Sequence, residues 1–437
     1  MRHIHSIKSS RPKIGLVALT LATGLLATHM AHAEVSIAKS DTWEVYADGR
    51  VNAFLSYAQG DGNPIPLVMG ESIPLGGGLN AGIEQNPGPV GPDGTNLQGT
   101  IQMLRVRSGF VPNTLGFGLR KQLSQTTLLR VYVSFWGLIE PANLRKTDTL
   151  PAQMQEGYSK VEGPWGSFLA GRAISLYSRG STENDFLYGH GYALGFPGNI
   201  DNHGNTAGMI GFGVLAVFFS PGLVYATPKA GGLQLSVGVY DPSALGGGFD
   251  KNKWPRPEAE LTFDAQVSIL KVHLFANGET QDLYRAGSNT ATRSTGGGAG
   301  GRFEVGPWHL GVAGHYGKGL GLGYALEAGA VSVSNNFELR TFRGFSALAQ
   351  YAAPRFDVNL GYGFSETFML ASDKIPAPGL PNGTFSLPKQ TAYSAVFVFH
   401  ASEHYHLTLD FMHVDARWSL GEKQVMNFLS TGAVATW

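Results

Sequence analysis

Apolar and polar residues alternate along most of this chain with a period of two residues. Residues 258–267 show the pattern most clearly, because Ala, Leu, Phe, Ala and Val alternate there with Glu, Glu, Thr, Asp and Gln. Residues 43–57 and 356–364 repeat it. Strict alternation places apolar side chains on one face of a β-strand and polar side chains on the other. These stretches approach or exceed the roughly 9–11 residues that a strand needs to cross a membrane.

The connections between the predicted strands are alternately short and long. Seven short connections fall near residues 124–126, 163–166, 229–232, 269–271, 306–308, 353–355 and 402–405. Eight long ones fall near residues 59–99, 139–153, 173–216, 242–257, 279–297, 317–334, 370–389 and 417–426. Fifteen connections join sixteen strands, and this alternation is typical of outer-membrane barrels. We therefore expect an all-β fold, a 16-stranded antiparallel transmembrane β-barrel with short periplasmic turns and long outer loops, whose closure leaves no strand edge unpaired.

The alternation changes phase between residues 110 and 115. Apolar residues occupy even positions before this point and odd positions after it, and Pro112 lies within the change. An extra residue in one strand has this effect, so the sequence predicts a β-bulge here. With this shift Arg105, Arg107 and Arg120 fall on one face, and Arg130 lies on the polar face of the next predicted strand.

One long connection, residues 173–204, follows the turn-and-strand sequence GPWGSFLAGR and carries Glu183 and Asp185 among glycines and tyrosines. Long connections inside a compact domain are usually functional or disordered. We expect residues 173–205 to fold into the barrel; the alternative is an outward surface loop. Residues 207–226 are uncharged and could also be taken for a transmembrane helix. Their glycines and Pro221 argue against a helix.

The N-terminus has the organisation of a secretory signal. Four basic residues precede an apolar run at residues 14–26, and Ala-His-Ala ends at Ala33. We expect residues 1–33 to be a signal peptide and residues 34–437 to form one barrel domain; a bare transmembrane anchor is the alternative. Removal of the segment takes four of the 32 basic residues and none of the 32 acidic ones, leaving a net charge of about −4, so no nucleic-acid partner is expected.

Composition supports a strand-and-turn protein. Sixty glycines in 437 residues are about twice the ordinary share of roughly 7%, and glycine weakens helices while supplying turns and bulges. The chain has no cysteine, so an exported form would depend on its backbone hydrogen bonds and packing.

Three stretches resemble the trimeric porins of Gram-negative bacteria. Residues 43–60 (WEVYADGRVNAFLSYAQG) resemble the first strand of that family, and residues 163–172 resemble the turn and strand before its constriction loop. Residues 428–437 resemble its last strand, which usually ends in Phe and here ends in Trp437.

The resemblance implies a function and a site. Members of the family form water-filled channels for passive diffusion of ions and small hydrophilic solutes. In them the third loop folds inward and presents acids opposite arginines. Matched here, the pore constriction would consist of Glu183, Asp185, Arg105, Arg107, Arg120 and Arg130. Arg172 and Arg179 are further candidates.

The resemblance also implies partners and an address. These are the lipid bilayer and lipopolysaccharide of the outer membrane, and the barrel assembly machinery, which would read the strand that ends at Trp437. A homotrimer is expected, with the first and last strands at the subunit contact, because their outward faces carry small residues that permit close approach.

Other functions remain open at this stage. A substrate-selective channel, an adhesive barrel that binds through residues 59–99, and a barrel enzyme are the alternatives, although no G-x-S-x-G motif is present. The histidines of residues 400–413 lack metal-ligand spacing and are expected to be a surface cluster. The glycine runs lack a phosphate-binding context, so neither a metal nor another cofactor is expected.

Overall fold

The structure is a computed structural model. It describes residues 34–62, 100–109, 111–137, 153–187, 208–215, 219–242, 249–250, 253–285, 287, 291–321, 331–332, 338–371, 389–417 and 423–437. The expected signal peptide and large parts of the long connections, including residues 188–205, lie outside these residues. The predictions that concern them therefore stay predictions.

Strands make up almost all of the described chain. Those before its helix are β1 (Val35–Lys39), β2 (Trp43–Gly62), β3 (Thr100–Arg107), β4 (Asn113–Ser124), β5 (Thr127–Gly137), β6 (Gln153–Gly163) and β7 (Gly166–Ile174). Helix α1 spans Leu176–Glu183. The strands after it are β8 (Phe219–Ala226), β9 (Leu233–Tyr240), β10 (Phe249–Asp250), β11 (Arg256–Val267), β12 (Leu270–Arg285), β13 (Ala291–Val305), β14 (Trp308–Lys318), β15 (Val331–Ser332), β16 (Glu338–Leu339), β17 (Thr341–Ala352), β18 (Phe356–Phe368), β19 (Lys389–His400), β20 (Tyr405–Arg417) and β21 (Lys423–Thr436).

The strands form a closed antiparallel barrel with sixteen strand positions around its circumference, which confirms the predicted fold class. We call each position a stave, since a stave can consist of one strand or of two segments in line. Neighbouring strands pair in chain order, and β21 closes the ring by pairing with β2. Three staves are composite, namely β3 with β4, β10 with β11, and β21 with β1. Strands β15 and β16 form a separate two-stranded sheet.

Most long strands bury one face and expose the other, whereas β5 is half-buried along almost its whole length. In β2, Asn52 and Phe54 are buried, whereas Val51 and Leu55 are exposed on the outward face. Aromatic side chains gather outside the short-turn end, where the rings of Trp308 and Tyr351 lie 4.8 Å apart. An apolar outer surface around a polar lumen is the arrangement expected of a barrel that crosses a membrane.

Residues 207–226 do not form a transmembrane helix, as their glycines and Pro221 indicated, because strand β8 occupies Phe219–Ala226. Its residues pair with β7 on one side and β9 on the other. Within the described ranges no helix has the length and apolar character needed to cross a membrane.

The phase change predicted as a β-bulge is instead a break, since β3 ends at Arg107 and β4 begins at Asn113. Asn52 of β2 binds the connecting residues: its Oδ1 accepts from the backbone N–H of Gly109 (2.6 Å), and its Nδ2 donates to the carbonyls of Val111 and Pro112 (both 3.1 Å). Its own backbone N–H donates to Asn113 Oδ1 at 2.8 Å. One buried amide thus satisfies backbone groups that the interrupted ladder leaves without partners.

Both ends of the described chain lie along β2. β21 pairs with the part of β2 from Arg50 onward, and β1 pairs with the part from Glu44 to Ala47. Both run antiparallel to β2, so β1 continues the line in which β21 ends. The first and last strands therefore share one stave.

Candidate functional site

Helix α1 lies inside the barrel against β9 and β11–β14. On β11 it contacts Glu258 and Glu260, which are buried, whereas Leu261, on the opposite face of the same strand, is exposed to the outside. The helix is therefore on the inner face of the strand. The described part of the connection after β7 therefore folds into the lumen, as predicted for residues 173–205.

The barrel wall caps the N-terminus of α1. Ser175 occupies the N-cap position but makes no side-chain capping bond. Instead, the backbone N–H of Leu176 donates to Tyr240 Oη (3.2 Å), and that of Tyr177 donates to Glu258 Oε2 (2.8 Å). The first N–H groups of a helix lack intrahelical partners and favour negative charge, so a wall carboxylate at this place fixes the position of the helix.

Buried charges extend this anchor. Arg179 of α1 forms an ion pair with Glu260 and donates to Ser236 Oγ at 3.4 Å. Arg256 is fully buried and donates to Glu258 Oε1 at 2.8 Å, with Glu279 Oε2 3.5 Å from its Nε. Buried ions are tolerated when they are paired and hydrogen-bonded, and removal of one partner is costly.

Asp185 follows the helix and holds the loop together. Its buried carboxylate accepts two backbone bonds, from the N–H of Leu187 (3.0 Å) and from the N–H of Met209 (2.6 Å). The residues after Met209 are fixed to the barrel wall at β18 and β19, where Gly213 N–H donates to Ser365 Oγ at 3.0 Å and Gln390 donates to the carbonyl of Gly211. Asp185 thus joins the two halves of the described loop.

Glu183 stands at the end of α1 and is half-buried. Its backbone carbonyl accepts from Arg302 Nη1 at 3.4 Å, but its carboxylate has no hydrogen bond or ion pair among the described residues. Burial raises the pKa of this carboxyl from 4.5 to about 8, against the opposing effect of Arg179, and the charge of Glu260 raises it further. Glu183 belongs to the loop and not to a barrel strand.

The wall formed by β2, β4, β5 and β6 lies across the lumen from α1. In the order of the sixteen staves, β12 lies eight staves from β2, β13 eight from β4, and β14 eight from β5, so these pairs face each other across the barrel. Arg302, which contacts Glu183, precedes the turn at Gly306, and Arg120 and Arg130 flank the turn at residues 125–126. Both sides therefore lie near the short-turn end of the barrel.

Three cations form one cross-strand row on this wall. Arg120 pairs in register with Arg130, and Arg130 with Lys160. We call these three residues the basic row. Acids of the same wall bind all three: Arg120 pairs with Glu34 and Glu44, Arg130 donates to Glu162 (2.8 Å), and Lys160 also binds Glu162.

A row of aromatic residues lies two positions along each strand from the basic row. Tyr46 pairs in register with Gly118, Gly118 with Tyr132, and Tyr132 with Tyr158. We call Tyr46, Tyr132 and Tyr158 the tyrosine row. Two positions further, Asp48 accepts from Tyr132 Oη (2.9 Å), and Glu156 lies 3.5 Å from Ser134 Oγ. Cation, aromatic and acid thus succeed one another along the wall.

The structure brings together two of the four predicted arginines. Arg120 and Arg130 are neighbours, but Arg105 and Arg107 belong to β3, beyond the break. Arg107 pairs with Phe54 and Arg120 with Glu44, ten residues apart on β2, which is about 33 Å along the strand. The side chains of Arg105 and Arg107 lie outside the described part.

The two further candidates bind other groups of the protein. Arg172 donates through Nε to the carbonyl of Gln155 at 3.0 Å, and Arg179 pairs with Glu260. Sequence reasoning missed Lys160 and the tyrosine row. Alternation within β6 places Lys160 and Tyr158 on its polar face, but their alignment with Arg130 and Tyr132 depends on the register between strands.

The histidines of residues 400–413 gather near a short turn. His400 Nδ1 lies 2.9 Å from His406 Nδ1, and His400 Nε2 lies 3.1 Å from Asp357. Within the described ranges, no group of three or more His, Asp or Glu side chains is arranged to hold a metal ion.

The closed barrel with a helix inside its lumen defines the class of fold, which is that of the outer-membrane porins of Gram-negative bacteria. The structure is similar to the outer membrane channel DcaP of Acinetobacter baumannii, with a TM-score of 0.63, 14% identity, and coverage of 92% of this chain and 100% of that one. It is also similar to an anion-selective porin from Comamonas acidovorans (TM-score 0.57, 12% identity, 90% and 100% covered).

A third similar structure is the trimer form of OmpT, an outer membrane protein of Vibrio cholerae (TM-score 0.51, 14% identity, 91% and 100% covered). No protein-family model and no curated protein sequence matches the chain. At these identities the similarity establishes the fold.

Proposed function

We propose that this chain is an outer-membrane porin, a water-filled channel through which ions and small hydrophilic solutes diffuse passively. The observation that carries the proposal is helix α1, which is fixed inside the lumen by Glu258 and Glu260 across from the basic row. A barrel narrowed by charged side chains sorts solutes by size and charge.

We propose that Glu183, Arg120, Arg130 and Lys160 set the field across the narrow part. The predicted constriction set also contained Asp185, Arg105 and Arg107. We assign Asp185 to the shape of the loop because its carboxylate binds two backbone amides. Arg105 and Arg107 would act nearer the long-loop side, since β3 lies beyond the break. Acids of the same wall offset the basic row, so weak ion selectivity is expected.

The test is electrical. The purified chain in a planar bilayer should give stepwise currents that rise with salt concentration. In a salt gradient, Glu183→Gln at pH 9 should shift the reversal potential toward anions, and the double change Arg120→Gln with Arg130→Gln should shift it toward cations. Glu403→Gln, which alters an exposed acid at a short turn, is the matched control and should shift it little. A wild-type barrel that carries no current would rule out the channel.

We further propose a homotrimer in the outer membrane, reached through a cleaved signal peptide at residues 1–33. The outward face of β2 and β21 supports this subunit contact. The small residues Ala53 and Ala433 pair there, whereas the outward faces of other strands carry larger apolar residues. The lipopolysaccharide of that membrane and the barrel assembly machinery, acting through Trp437, would be its partners. Cross-linking in mild detergent should capture trimers; recovery of monomers alone would count against the assembly.

The proposal is of a channel and not of an enzyme or adhesin. Conductance after reconstitution distinguishes them, since a plugged barrel would pass little or no current.

A further inference from the structure

The tyrosine row occupies a wall that is built around it. Tyr46 and Tyr132 lie over the lumen side of β4, where Gly118 and Gly116 carry no side chain. A Cβ at Gly118 would overlap the ring of Tyr46, and one at Gly116 would lie 2.9 Å from Cζ of Tyr132. Rings can lie flat on this part of the sheet because the intervening strand has glycine there.

Two of these rings remain partly exposed. Tyr132 and Tyr158 are half-buried, with their centroids 5.9 Å apart and their planes inclined by 44°. Tyr46, by contrast, is buried, and the guanidinium of Arg120 lies 4.1 Å from its ring centroid. Asp48 fixes Tyr132 through its hydroxyl. Tyr132 and Tyr158 therefore form a preorganised aromatic surface, which is suited to offset or edge-to-face contact with another ring.

Arg130 supplies hydrogen-bond donors next to this surface. It lies two residues before Tyr132 on the same strand and face, about 6.6–6.8 Å away along the chain. Its Nε donates to Glu162, whereas its two terminal nitrogens have no hydrogen-bond partner among the described residues. A guanidinium edge of this kind binds a carboxylate through two parallel hydrogen bonds.

The charges around the surface fix the orientation of an anionic solute. Arg130 and Lys160, which share the single acid Glu162, lie on one side of the tyrosine row, and Asp48 and Glu156 lie on the other. The first three groups leave an excess of one positive charge on the first side, so a carboxylate is favoured there over the second side, where Asp48 and Glu156 repel it. A flat ring joined directly to a carboxylate has the length needed to reach Arg130 while its ring rests on Tyr132 and Tyr158.

We propose that this surface is a binding site for solutes that combine an aromatic ring with a carboxylate. The proposal rests on the channel function and adds a preferred class of solute to it. Arg130 holds the carboxylate, and Tyr132 and Tyr158 contact the ring. The site is a transient resting place on the way through the pore.

Benzoate is the probe, and cyclohexanecarboxylate is its matched control, since it has the same charge and a similar size without a flat ring. In planar bilayers, the wild-type channel should be half-blocked by benzoate at a concentration roughly two- to ten-fold lower than by cyclohexanecarboxylate, the factor expected of an aromatic pair. The double change Tyr132→Leu with Tyr158→Leu should remove that difference. Tyr132→Phe with Tyr158→Phe keeps both rings and should retain it.

Two further variants complete the test. Arg130→Gln should weaken block by both carboxylates, and Tyr362→Leu, which changes an outward tyrosine, should leave both values as in the wild type. Equal block by the two compounds in a conducting wild-type channel would overturn the aromatic site and leave the porin proposal standing. A wild-type chain without conductance would defeat the porin proposal itself.

Discussion

The indole of Trp437 lies against the Cα of Gly49. A Cβ added at Gly49 would lie 2.5 Å from Cε2 of the indole, and the backbones of the two residues exchange hydrogen bonds of 2.8 and 3.1 Å. The terminal aromatic residue is therefore part of the joint between the first long strand and the last one. Glycine at position 49 gives the indole its space, which accounts structurally for Trp in place of the more usual Phe.

Gly49→Val should destabilise the barrel, because its side chain would overlap the indole; overpacking of this kind typically costs about 1–3 kcal/mol. The effect should be seen as a lower denaturation midpoint and less heat-modifiable, folded protein on gels. Gly137→Val is the matched control, since a Cβ there meets no atom within 4 Å. In a Trp437→Ala background the cost of Gly49→Val should largely disappear. An unchanged cost there would show that the indole is not the cause.

Channel selectivity should depend on pH through Glu183. Because burial raises the pKa of its carboxyl to about 8, the side chain is mainly neutral at pH 6 and mainly charged at pH 9. The reversal potential in a salt gradient should move toward cation selectivity as the pH rises through 8. Glu183→Gln should remove this movement. A wild-type response that persists in the variant would assign the titration to another group.

The same shift has a consequence for stability. Between pH 4.5 and about 8 the folded chain retains a proton on Glu183 that the unfolded chain has released. The free energy of unfolding should therefore fall as pH rises through this window. Denaturation midpoints of wild type and Glu183→Gln, measured from pH 5 to 9, should diverge in this direction, with the variant less dependent on pH.

Glu183 and Asp185 should behave differently although they are two residues apart. Asp185→Ala removes the acceptor for the N–H groups of Leu187 and Met209, so it should loosen the loop, widen the distribution of single-channel conductances and raise their mean. Asp185→Asn keeps one carbonyl acceptor and should show a smaller effect. At pH 9, Glu183→Gln should instead shift the reversal potential with little change in conductance. The opposite assignment of effects would contradict the roles given to these acids.

Glu258→Ala should release α1 from the wall. It removes the acceptor for Tyr177 N–H and a partner of the buried Arg256, and breaking a buried ion pair costs about 3–5 kcal/mol. Trypsin should then cut more readily at Arg179, and conductance should rise. Glu258→Gln preserves an acceptor of the same size and serves as the second variant if Glu258→Ala folds poorly. Its rate of cleavage at Arg179 should lie between those of the wild type and Glu258→Ala.

Lys229→Ala is the control for that experiment. It breaks the Lys229–Asp264 pair, whose side chains are about one-third exposed, and exposed pairs contribute about 0–1 kcal/mol. Cleavage at Arg179 should remain as in the wild type. Equal sensitivity of both variants to trypsin would indicate general destabilisation of the barrel.

The fold could be predicted from the sequence because its signals are local. Alternation within each strand and turn residues between strands gave the sixteen staves, and Pro112 marked the break between β3 and β4. Strand β8 was also predictable, since Pro221 and its neighbouring glycines disfavour a helix. These features depend on residues close together in the chain.

The site was only partly predictable because it depends on pairing between distant strands. Parity placed Arg105 and Arg120 on one face, but it did not show that they pair with Ser56 and Glu44, which lie twelve residues apart along β2. The alignment of Lys160 with Arg130 is likewise a matter of register. The role of Asp185 required its contact with Met209, a residue far along the chain.

The shared stave of β1 and β21 has a consequence for the order of folding. β2 is the first long strand, yet one of its edges finds its partners only when β21, which is distant in sequence, docks against it and β1 folds back beside it. Gly49 and Trp437 are separated by nearly the whole chain, and contacts so remote in sequence form slowly. Until then β2 presents an open edge to other chains. Trp437 therefore completes the ladder begun by the first long strand, and a chain that lacks it should accumulate as an unclosed sheet ready to pair with its neighbours.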